Sequence, residues 1–501
     1  MKGYPSHATA RREHVAVVAG DRTMTYGELD DRSSRLFHVL RDAGVPEGGR
    51  LAMMLPNRPE FVECLATAAK LAASSVNLNW HLRAEELAWV LDDSGSNALV
   101  ADASLRPVVE AVAGERHLPV VWVDGDYEDR LAAAPADPVP FVWPTSWPVI
   151  YTSGTSGRPK GVVHGGATAH PEIMELTQEM LGGMWGYRPD DVHLVAGPLY
   201  HAGPYGYANS TLYQGGTVVL MPSWDAEEFL RLVEARRATT TFLTPAHFIR
   251  LLELPDETWA RYDLSSLRHV IHAGAPCPAP VKARIIEALG ATEVWELYGA
   301  SEGGATRVGP AEWLARPGTV GLPWPGVEIH IRDAATGAEL PAGADGLVWV
   351  KPARGTFEYH NDPAKTADTW HDGLFTVGDI GHLDADGYLF LTDRRSDMII
   401  RAGVNLYPRE VEDVLYKHPA VVDCAVFGVP DDRDGEHPVA VVETRVPVEP
   451  DELDAWCRER LDPYKVPVVF SLVDELPRDP NGKVLKRLLR DQAWAATGRS
   501  I

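Results

Sequence analysis

The sequence predicts an α/β protein with a large N-terminal domain and a small C-terminal domain. Short apolar runs suited to buried strands alternate with helical stretches, which is typical of a largely parallel sheet. The first such runs are 51–55, 98–101 and 120–123, and the alternation resumes from 192 to 297, which indicates a second α/β subdomain. At 501 residues the chain exceeds the size at which one hydrophobic core stops growing, so we expect more than one globular unit.

The first clearly delimited element is a helix that begins after Thr25. Thr25 and Glu28 match a capping box, and apolar residues follow at helical spacing until Gly44 and Pro46 end the pattern. The helical stretches between the first strands are 59–71 and 83–91. The strands of the second subdomain are predicted at 192–196, 217–221, 240–243, 270–273 and 294–297.

Residues 321–393 are predicted to form an antiparallel β subdomain. The strand pattern alternates there, and Asp345-Gly346 and Asp386-Gly387 have the composition of turns. After Asp393-Arg394 the character changes to a segment with its own strand and helix signals, long enough for a separate α+β domain. We therefore place an N-terminal domain at 1–395 and a mobile C-terminal domain at 396–501.

The composition limits the possible partners and compartments. Lys and Arg number 47 against 71 Asp and Glu, and the formal charge of -24 argues against nucleic acid or an anionic membrane as partner. The four cysteines, Cys64, Cys277, Cys424 and Cys457, lie far apart without metal-ligand spacing, which suits a reduced protein. No apolar stretch of about 20 residues predicts a transmembrane segment. We expect a cytoplasmic protein.

The most informative motif is a loop that follows the apolar strand 148–151. The loop runs from Thr152 through Ser153, Gly154, Thr155, Ser156, Gly157, Arg158, Pro159 and Lys160 to Gly161. Glycines let a backbone approach an anion closely, and the hydroxyls and Lys160 supply hydrogen-bond donors. A Walker loop would need glycine at Pro159 and Ser or Thr at Gly161. The pattern favours another kind of phosphate-binding loop over a Gly/Ser linker.

Four further motifs follow this loop along the chain. They are Tyr298-Gly299-Ala300-Ser301-Glu302, Gly378-Asp379, Asp393-Arg394 and Pro480-Asn481-Gly482-Lys483. In their order and spacing, the five motifs resemble the adenylate-forming superfamily of acyl-CoA synthetases, adenylation domains and luciferases over nearly the whole chain. The resemblance implies that ATP and a carboxylic acid form an acyl-AMP with release of pyrophosphate, and that the acyl group then passes to a thiol.

The resemblance also implies roles for individual residues. Those implied to bind ATP or AMP are Thr152, Ser153, Gly154, Thr155, Ser156, Gly157, Gly274, Ala275, Pro276, Tyr298, Gly299, Ser301, Asp379 and Arg394. Tyr298 would stack on adenine, Asp379 would bind the ribose hydroxyls, and Glu302 would bind Mg²⁺. Lys160 would hold the β- and γ-phosphates, while Lys483 would contact the α-phosphate and the attacking carboxylate. Taken alone, Tyr298, Asp379 and Lys483 also fit a core aromatic, a turn residue and a surface lysine.

The second half-reaction requires a thiol to reach the acyl carbon. In the family the C-terminal domain rotates to open a pantetheine channel, and motif alignment puts the hinge at Ser396, where relatives commonly carry Asp or Lys. Arg401, Gly403 and Asn405 match the segment that relatives turn toward this channel. Ala402 stands where many relatives have a second glycine.

The acyl pocket is implied by resemblance to be lined by His201, Tyr205, Gly299 and Gly303. The segment 202–208 is apolar, aromatic and rich in small residues. Amino-acid-activating relatives place an aspartate shortly after the position of His201, whereas this chain has none before Asp225. The pattern therefore favours a bulky hydrophobic acid, either fatty or ring-containing. His201 fits both a gate for the carboxylate and a wall residue.

The implied cofactors are ATP, Mg²⁺ and coenzyme A. Because only 18 residues follow Lys483, we expect a free acceptor: coenzyme A by default, with a separate acyl carrier protein as the alternative. A luciferase-like oxygenase is disfavoured because nothing points to oxygen chemistry. A non-catalytic adenylate-binding protein is disfavoured because Lys160, Glu302, Asp379 and Lys483 are all present. The sequence leaves open the identity of the acid and whether the protein is a homodimer.

Overall fold

The computed structural model describes residues 3–142, 148–152, 159–165, 171–353, 355–431, 433–480 and 482–496. The helices are α1 Tyr4–Ala10, α2 Tyr26–Asp42, α3 Pro59–Lys70, α4 Ala84–Ser94, α5 Arg106–Glu115, α6 Tyr127–Ala133, α7 Pro171–Trp185, α8 Ala202–Gln214, α9 Ala226–Arg236, α10 Pro245–Leu252, α11 Asp256–Trp259, α12 Ala279–Leu289, α13 Pro310–Ala315, α14 Pro363–Thr369, α15 Pro408–Leu415, α16 Pro450–Arg458 and α17 Lys486–Ala496. The strands are β1 Val15–Ala19, β2 Arg22–Thr25, β3 Arg50–Met54, β4 Ser74–Asn77, β5 Ala98–Asp102, β6 Val120–Val123, β7 Val149–Thr152, β8 Lys160–Gly165, β9 Val192–Val195, β10 Thr217–Leu220, β11 Thr240–Leu243, β12 His269–His272, β13 Glu293–Ala300, β14 Gly303–Val308, β15 Thr319–Pro323, β16 Glu328–Arg332, β17 Gly346–Lys351, β18 Thr356–Tyr359, β19 Trp370–His371, β20 Leu374–Phe375, β21 Asp379–Leu383, β22 Leu389–Arg394, β23 Ile399–Arg401, β24 Val404–Leu406, β25 Val421–Asp431, β26 Gly435–Thr444 and β27 Val469–Val473.

The described residues fall into two compact units, each built from several stretches of the chain. The first unit lies within Met1–Phe242, Ala260–Val270 and Arg354–Asp368. The second lies within Leu243–Trp259, Ile271–Ala353 and Thr369–Ile501. Among the described residues, no helix combines the length and the apolar character that crossing a membrane requires.

The first unit contains the parallel sheet that the alternating pattern predicts. Its strand order is β18-β8-β7-β4-β3-β5-β6, with β7, β4, β3, β5 and β6 parallel and β8 and β18 antiparallel. Every residue of Ala98–Asp102 is buried, as expected for a strand covered by helices on both faces. A second set of strands in this unit runs β2-β1-β10-β9-β11, parallel except for β2.

Helix α2 shows how local sequence fixes an element of this unit. The Thr25 hydroxyl accepts a hydrogen bond from the Glu28 backbone N–H at 3.1 Å, and the Glu28 carboxylate accepts one from the Thr25 N–H at 2.7 Å. This reciprocal pair is the predicted capping box, which satisfies N–H groups that would otherwise lack partners at the start of the helix. The apolar face, including Leu29, Leu36 and Leu40, is buried in the core of the unit.

The second unit contains an antiparallel sheet, which was predicted at 321–393 but already includes β13 and β14. Its strands β13, β14, β15, β22, β21 and β17 are paired in that order, and β16 and β20 also pair with β17. A turn at Asp386-Gly387 is confirmed. The prediction of a turn at Asp345-Gly346 is wrong. The turn lies earlier, at 341–344, and Gly346 is already part of β17, where it pairs with Gly381 of β21. A Cβ at Gly346 would lie 2.7 Å from the Arg332 carbonyl oxygen, so close backbone approach explains that glycine.

The same unit also contains the small α+β portion predicted at the C-terminal end. A sheet of order β24-β23-β26-β25, with β27 parallel to β26, packs with helices that include α15 and α17. It has its own hydrophobic core, in which Val411, Leu453 and Cys457 are fully buried. The α/β fold with a large N-terminal part and a small C-terminal part is therefore confirmed.

Candidate active site

The two ends of the predicted phosphate loop are fixed by a strand pair in the first unit. β7 and β8 are antiparallel, and Thr152 stands opposite Lys160. The intervening candidates Ser153, Gly154, Thr155, Ser156 and Gly157 lie outside the described residues. The backbone pairing therefore positions Lys160 where the chain returns to the sheet after the loop.

The strand that carries Lys160 is supported from its other side as well. β18 pairs with residues 162–165 of β8, and the Lys160 Nζ lies 6.0 Å from the centre of the Tyr359 ring. A Cβ at Gly161 would lie 3.0 Å from the Tyr151 ring, so the glycine allows this ring to pack closely against β8. Lys160 also lines a cavity of about 270 Å³ together with Trp89, Asp93 and Asn361.

Asp93, at the end of α4, connects the two chain segments that flank this cavity. Its carboxylate accepts hydrogen bonds from the Tyr151 hydroxyl at 2.6 Å and from the Asn361 Nδ2 at 3.2 Å, and Nδ2 also reaches the Asp93 carbonyl at 2.9 Å. Asn361 has a positive φ of 54°, which asparagine tolerates better than most residues. Sequence reasoning missed Asp93, because its partners lie 58 and 268 positions away.

The residues predicted for the acyl pocket lie at the start of α8. His201 is the residue before the helix and is half-buried, with its ring centre 4.4 Å from that of Tyr200. Tyr205 packs against the hydrophobic core of the first unit, and burial raises its pKa. Two residues further along α8, Tyr207 stacks on Phe242 with ring centres 5.2 Å apart. The pocket roles of His201 and Tyr205 stay predictions.

In the second unit, the motif that begins at Tyr298 forms a tight β-hairpin. β13 and β14 are antiparallel, and Ser301 and Glu302 are the two residues of the turn between them. Gly299 is required by close packing, because a Cβ there would lie 2.7 Å from the Gly303 carbonyl oxygen. The turn thereby presents the Glu302 carboxylate at the tip of the hairpin. The same packing accounts for Gly299 without invoking a ligand.

Tyr298, Asp379 and Arg394 are brought together as a hydrogen-bonded cluster. The Tyr298 hydroxyl donates to Asp379 Oδ2 at 2.8 Å, and Arg394 Nε donates to Asp379 Oδ1 at 3.2 Å. Asp379 and Arg394 are also opposite each other on β21 and β22. Burial, and then the Asp379 charge, raise the pKa of Tyr298, which keeps its hydroxyl a donor. Each carboxylate oxygen of Asp379 retains a lone pair for a further donor.

Lys483 lies in a small hairpin of the same unit. The Asp479 N–H donates to the Lys483 carbonyl at 2.8 Å, and the Lys483 N–H donates to Asp479 Oδ1 at 2.9 Å. The Lys483 side chain is solvent-accessible, yet partial loss of hydration lowers its pKa, and the positive charge of Arg394 lowers it further. Asp379 acts in the opposite direction. Lys483 therefore shares the electrostatic environment of the Asp379 cluster.

Two further predicted positions lie in turns of the second unit. Gly274, Ala275 and Pro276 follow β12, and Gly274 has a φ of 90°, which favours glycine. Ser396 lies in an exposed turn after β22, where its carbonyl accepts a hydrogen bond from Arg490 Nη1 at 3.3 Å. An exposed turn can absorb a change in φ and ψ, so the position is compatible with a hinge.

The predicted channel residues form the β23–β24 hairpin. Ala402 and Gly403 are its turn, with φ of 48° and 81°. Ala402 thus occupies the left-handed region that normally favours glycine. The Arg401 Nη1 donates to the Tyr464 carbonyl at 2.5 Å, so this side chain braces the hairpin. Asn405 is exposed on β24.

Comparison with known proteins defines the class. The sequence model of the AMP-binding enzyme family matches residues 5–359. The sequence model of the AMP-binding enzyme C-terminal domain matches residues 410–483. The chain is 36% identical to a feruloyl-CoA synthase from Amycolatopsis sp, covering 97% of this chain and 96% of that protein. It is 33% identical to the fatty acid–[acyl-carrier-protein] ligase ScoC from Streptomyces coeruleorubidus, covering 99% and 96%.

A solved structure gives the same result in three dimensions. ATP-bound MatB from Rhodopseudomonas palustris superposes with a TM-score of 0.86 at 29% identity, covering 98% of this chain and 99% of that one. The chain therefore belongs to the AMP-binding enzyme family. It is an AMP-forming acid–thiol ligase, which confirms the class predicted from the five motifs. The domain boundary at 395/396 and the roles of single residues stay predictions.

Proposed function

We propose that the protein is an ATP-dependent acyl-CoA synthetase that activates a hydrophobic carboxylic acid. The observation that carries this proposal is the cluster of Tyr298, Asp379 and Arg394 within the electrostatic reach of Lys483. A carboxylate does not react with a thiol at neutral pH, because oxide is a very poor leaving group. When the carboxylate attacks the α-phosphorus of ATP, its attacking oxygen becomes bonded to phosphorus. That oxygen can then leave as part of AMP, which is a good leaving group.

In the first half-reaction, the protein must hold two anions together and neutralise the charge that develops between them. Asp379 accepts hydrogen bonds from the ribose hydroxyls, and Tyr298 provides a flat face for adenine. The contacts of Asp379 with Tyr298 and Arg394 fix the carboxylate before ATP arrives, so little reorganisation is needed on binding. Lys160 and its loop hold the β- and γ-phosphates, which leave together as pyrophosphate.

Lys483 is the group that acts on the reacting atoms. Its ammonium contacts the α-phosphate and the incoming carboxylate oxygen, which brings the two anions within reaction distance and stabilises the transition state. Only the protonated form can do this. Burial, and then the positive charge of Arg394, lower the pKa of Lys483, whereas bound phosphate adds negative charge nearby and acts in the opposite direction.

Mg²⁺ fits the donor that the structure offers at Glu302. Magnesium takes hard oxygen ligands and is usually bound through one or two carboxylates together with substrate phosphates and water. The Glu302 carboxylate stands at the tip of the β13–β14 turn and supplies one such oxygen. When bound, the ion neutralises phosphate charge.

The acid is proposed to be fatty or aromatic. Support comes from the apolar, aromatic α8 and from relatives named for feruloyl and fatty acyl substrates. Coenzyme A is the proposed acceptor, in line with the feruloyl-CoA synthase. A carrier protein is the second candidate, favoured by the similarity to ScoC. A cytoplasmic location is proposed because all four cysteines are buried and unpaired.

The test is pyrophosphate release by the purified protein with ATP, MgCl₂ and a panel of hexanoate, palmitate, ferulate and benzoate. We expect release with at least one acid, an acyl-AMP in the mass spectrum, and an acyl-CoA when coenzyme A is added. A reaction without acid, and one in which phenylalanine replaces the acid, serve as controls. No release above these controls with any acid would refute the proposed function. Transfer to a carrier protein but not to coenzyme A would favour the second candidate.

A further inference from the structure

Arg250, on α10, makes ion pairs with residues that follow the predicted hinge. Its Nη1 donates to Glu443 Oε1 at 2.8 Å, across 193 positions of sequence, and its Nη2 lies 3.3 Å from Glu475 Oε1. The two acceptors differ in burial, because the Glu443 side chain is 4% exposed whereas that of Glu475 is 71% exposed. The contact with Glu443 is therefore the one shielded from solvent, where an ion pair has most effect.

Glu443 connects Arg250 to the region around the catalytic lysine. While one carboxylate oxygen accepts from Arg250, the other accepts from the Leu476 N–H at 3.1 Å and from Arg478 Nη2 at 3.3 Å. Leu476 and Arg478 lead directly into the hairpin that carries Lys483. One oxygen of the buried Glu443 carboxylate thus bonds to α10, and the other bonds to the segment that leads into the hairpin.

The path continues from Arg478 to the backbone next to Lys483. Arg478 Nη1 donates to the Gly482 carbonyl oxygen at 3.1 Å. Gly482 also lies against the first turn of α10, because a Cβ there would stand 2.6 Å from the Ala246 Cβ. Helix α10 therefore meets the lysine hairpin twice: through Ala246 by direct contact, and through Arg250 by way of Glu443.

Each side of the Arg250–Glu443 pair keeps a partner if the pair opens. Arg250 is also bonded at 2.9 Å to Glu253, the residue that follows α10, and Glu443 keeps Arg478 and the Leu476 N–H. Opening therefore leaves no buried charge unpaired, which removes the main cost of breaking a buried ion pair. These are the properties of a contact that can form in one step of a reaction and separate in the next.

We propose that Arg250 is a positioning residue that holds the Lys483 hairpin in place for acyl-AMP formation and is dispensable for thioester formation. This proposal rests on the proposed function, in which Lys483 acts only in the first half-reaction. Arg250 touches neither substrate nor the reacting atoms. It acts through Glu443 and Arg478, which set where the lysine backbone lies.

The experiment measures both half-reactions of Arg250→Ala with the best acid of the panel. Acyl-AMP formation is followed by pyrophosphate release without coenzyme A, and thioester formation by mixing the synthetic acyl-AMP of that acid with coenzyme A. We expect the first rate to fall about tenfold, because one partly buried charge pair is lost, and the second to change less than about twofold. Arg250→Glu, which puts a carboxylate beside Glu443, should lower the first rate further.

Arg231→Ala is the matched control. Arg231 also lies on a helix and pairs with a glutamate three positions away on that helix, Glu228, but both side chains are exposed. We expect both half-reactions of this variant to equal those of the wild type. Glu475→Gln removes the exposed partner of Arg250 and should have little effect. Arg250→Gln, which keeps most of the side-chain length, serves if Arg250→Ala does not fold.

The outcomes separate the two levels of inference. If folded Arg250 variants lose both half-reactions equally, or lose neither, the positioning role is overturned. The proposed function is still upheld in that case, provided that the wild type is active. Failure of the wild type to release pyrophosphate with any acid overturns the proposed function and the positioning role together. A loss of rate that is confined to acyl-AMP formation, and that is larger in Arg250→Glu than in Arg250→Ala, supports the positioning role.

Discussion

The two candidate lysines, Lys160 in the first unit and Lys483 in the second, are held in different ways. Lys160 lies in β8, a strand paired on one side with β7 and on the other with β18, so backbone hydrogen bonds of a sheet fix its position. Lys483 lies in a short hairpin whose attachment to α10 depends on a glycine contact and on ion pairs of side chains. The first arrangement is built into the fold, whereas the second can be undone without breaking a sheet.

The difference matches the two steps that the enzyme class performs. Pyrophosphate must be held and then released, and a lysine fixed in a sheet can do this while pyrophosphate exchanges with solvent. The charge on the α-phosphate needs a lysine only until the acyl-AMP has formed, and the thiol then needs access to the acyl carbon. A lysine held by separable contacts suits a group required in one step only.

The largest expected effect is that of Lys483→Ala on acyl-AMP formation. Loss of a charge that stabilises the transition state should lower the rate about 100-fold to 1,000-fold, by analogy with removal of one preorganised donor. Pyrophosphate release in the absence of coenzyme A measures it. Lys351→Ala, which removes an exposed lysine paired with Glu328, should leave the rate unchanged. If Lys483→Ala formed acyl-AMP at a rate close to that of the wild type, the catalytic role of Lys483 would be refuted.

Asp379→Ala is expected to act mainly on ATP. Two charge-assisted hydrogen bonds to ribose are lost, so kcat/KM for ATP should fall about 30-fold to 100-fold. Tyr298→Phe keeps the ring but removes the hydroxyl that orients Asp379, and should cause a smaller loss. Initial rates over a range of ATP concentrations distinguish these effects. An unchanged KM for ATP in Asp379→Ala would remove the ribose role.

The pH profile sharpens the comparison further. The folded protein lowers the pKa of Lys483, and the protonated form is the active one, so adenylation should decline as pH rises through that lowered pKa. The decline should approach about tenfold per pH unit, and begin below the ordinary range of a lysine. The measurement is kcat/KM for ATP without coenzyme A. Lys483→Arg should abolish this alkaline limb, and its persistence there would assign the limb to another group.

The smallest effect concerns the support of the phosphate loop. Asp93→Ala removes the acceptor of Tyr151 and one partner of Asn361, so the strand that enters the loop loses a side-chain brace but keeps its sheet pairing. We expect KM for ATP to rise about threefold to fivefold, as for loss of one hydrogen bond, with KM for the acid unchanged. Asp92→Ala, which removes an exposed carboxylate paired with Arg116, is the matched control. Equal changes in both variants would argue against the brace.

Features encoded within a few residues could be predicted from the sequence. The capping box of Thr25 and Glu28 depends on a spacing of three, and the buried strands Val120–Val123 and Thr240–Leu243 depend on local apolar runs, so all were predicted at the right place. Asp345-Gly346 misled because a glycine selected for close strand packing looks the same as a turn glycine.

Contacts between distant parts of the chain left no local signal. Asp93 meets Asn361, and Arg250 meets Glu443, only because the fold brings segments 268 and 193 positions apart together. Neither residue stands in a motif, and an aspartate or arginine on a helix has the composition of an ordinary solvent face. The candidate residues in motifs were found by resemblance, whereas the residues that hold them needed the structure.

The most direct test of the separable lysine is the second half-reaction of Lys483→Ala. Synthetic acyl-AMP of the best acid is mixed with coenzyme A and either the wild type or the variant, and acyl-CoA is followed by mass spectrometry. We predict rates within about twofold of each other, because the charge that Lys483 neutralises in the first step is no longer developing. If Lys483→Ala lost thioester formation to the same extent as acyl-AMP formation, the claim that Lys483 is required in the first half-reaction only would be contradicted.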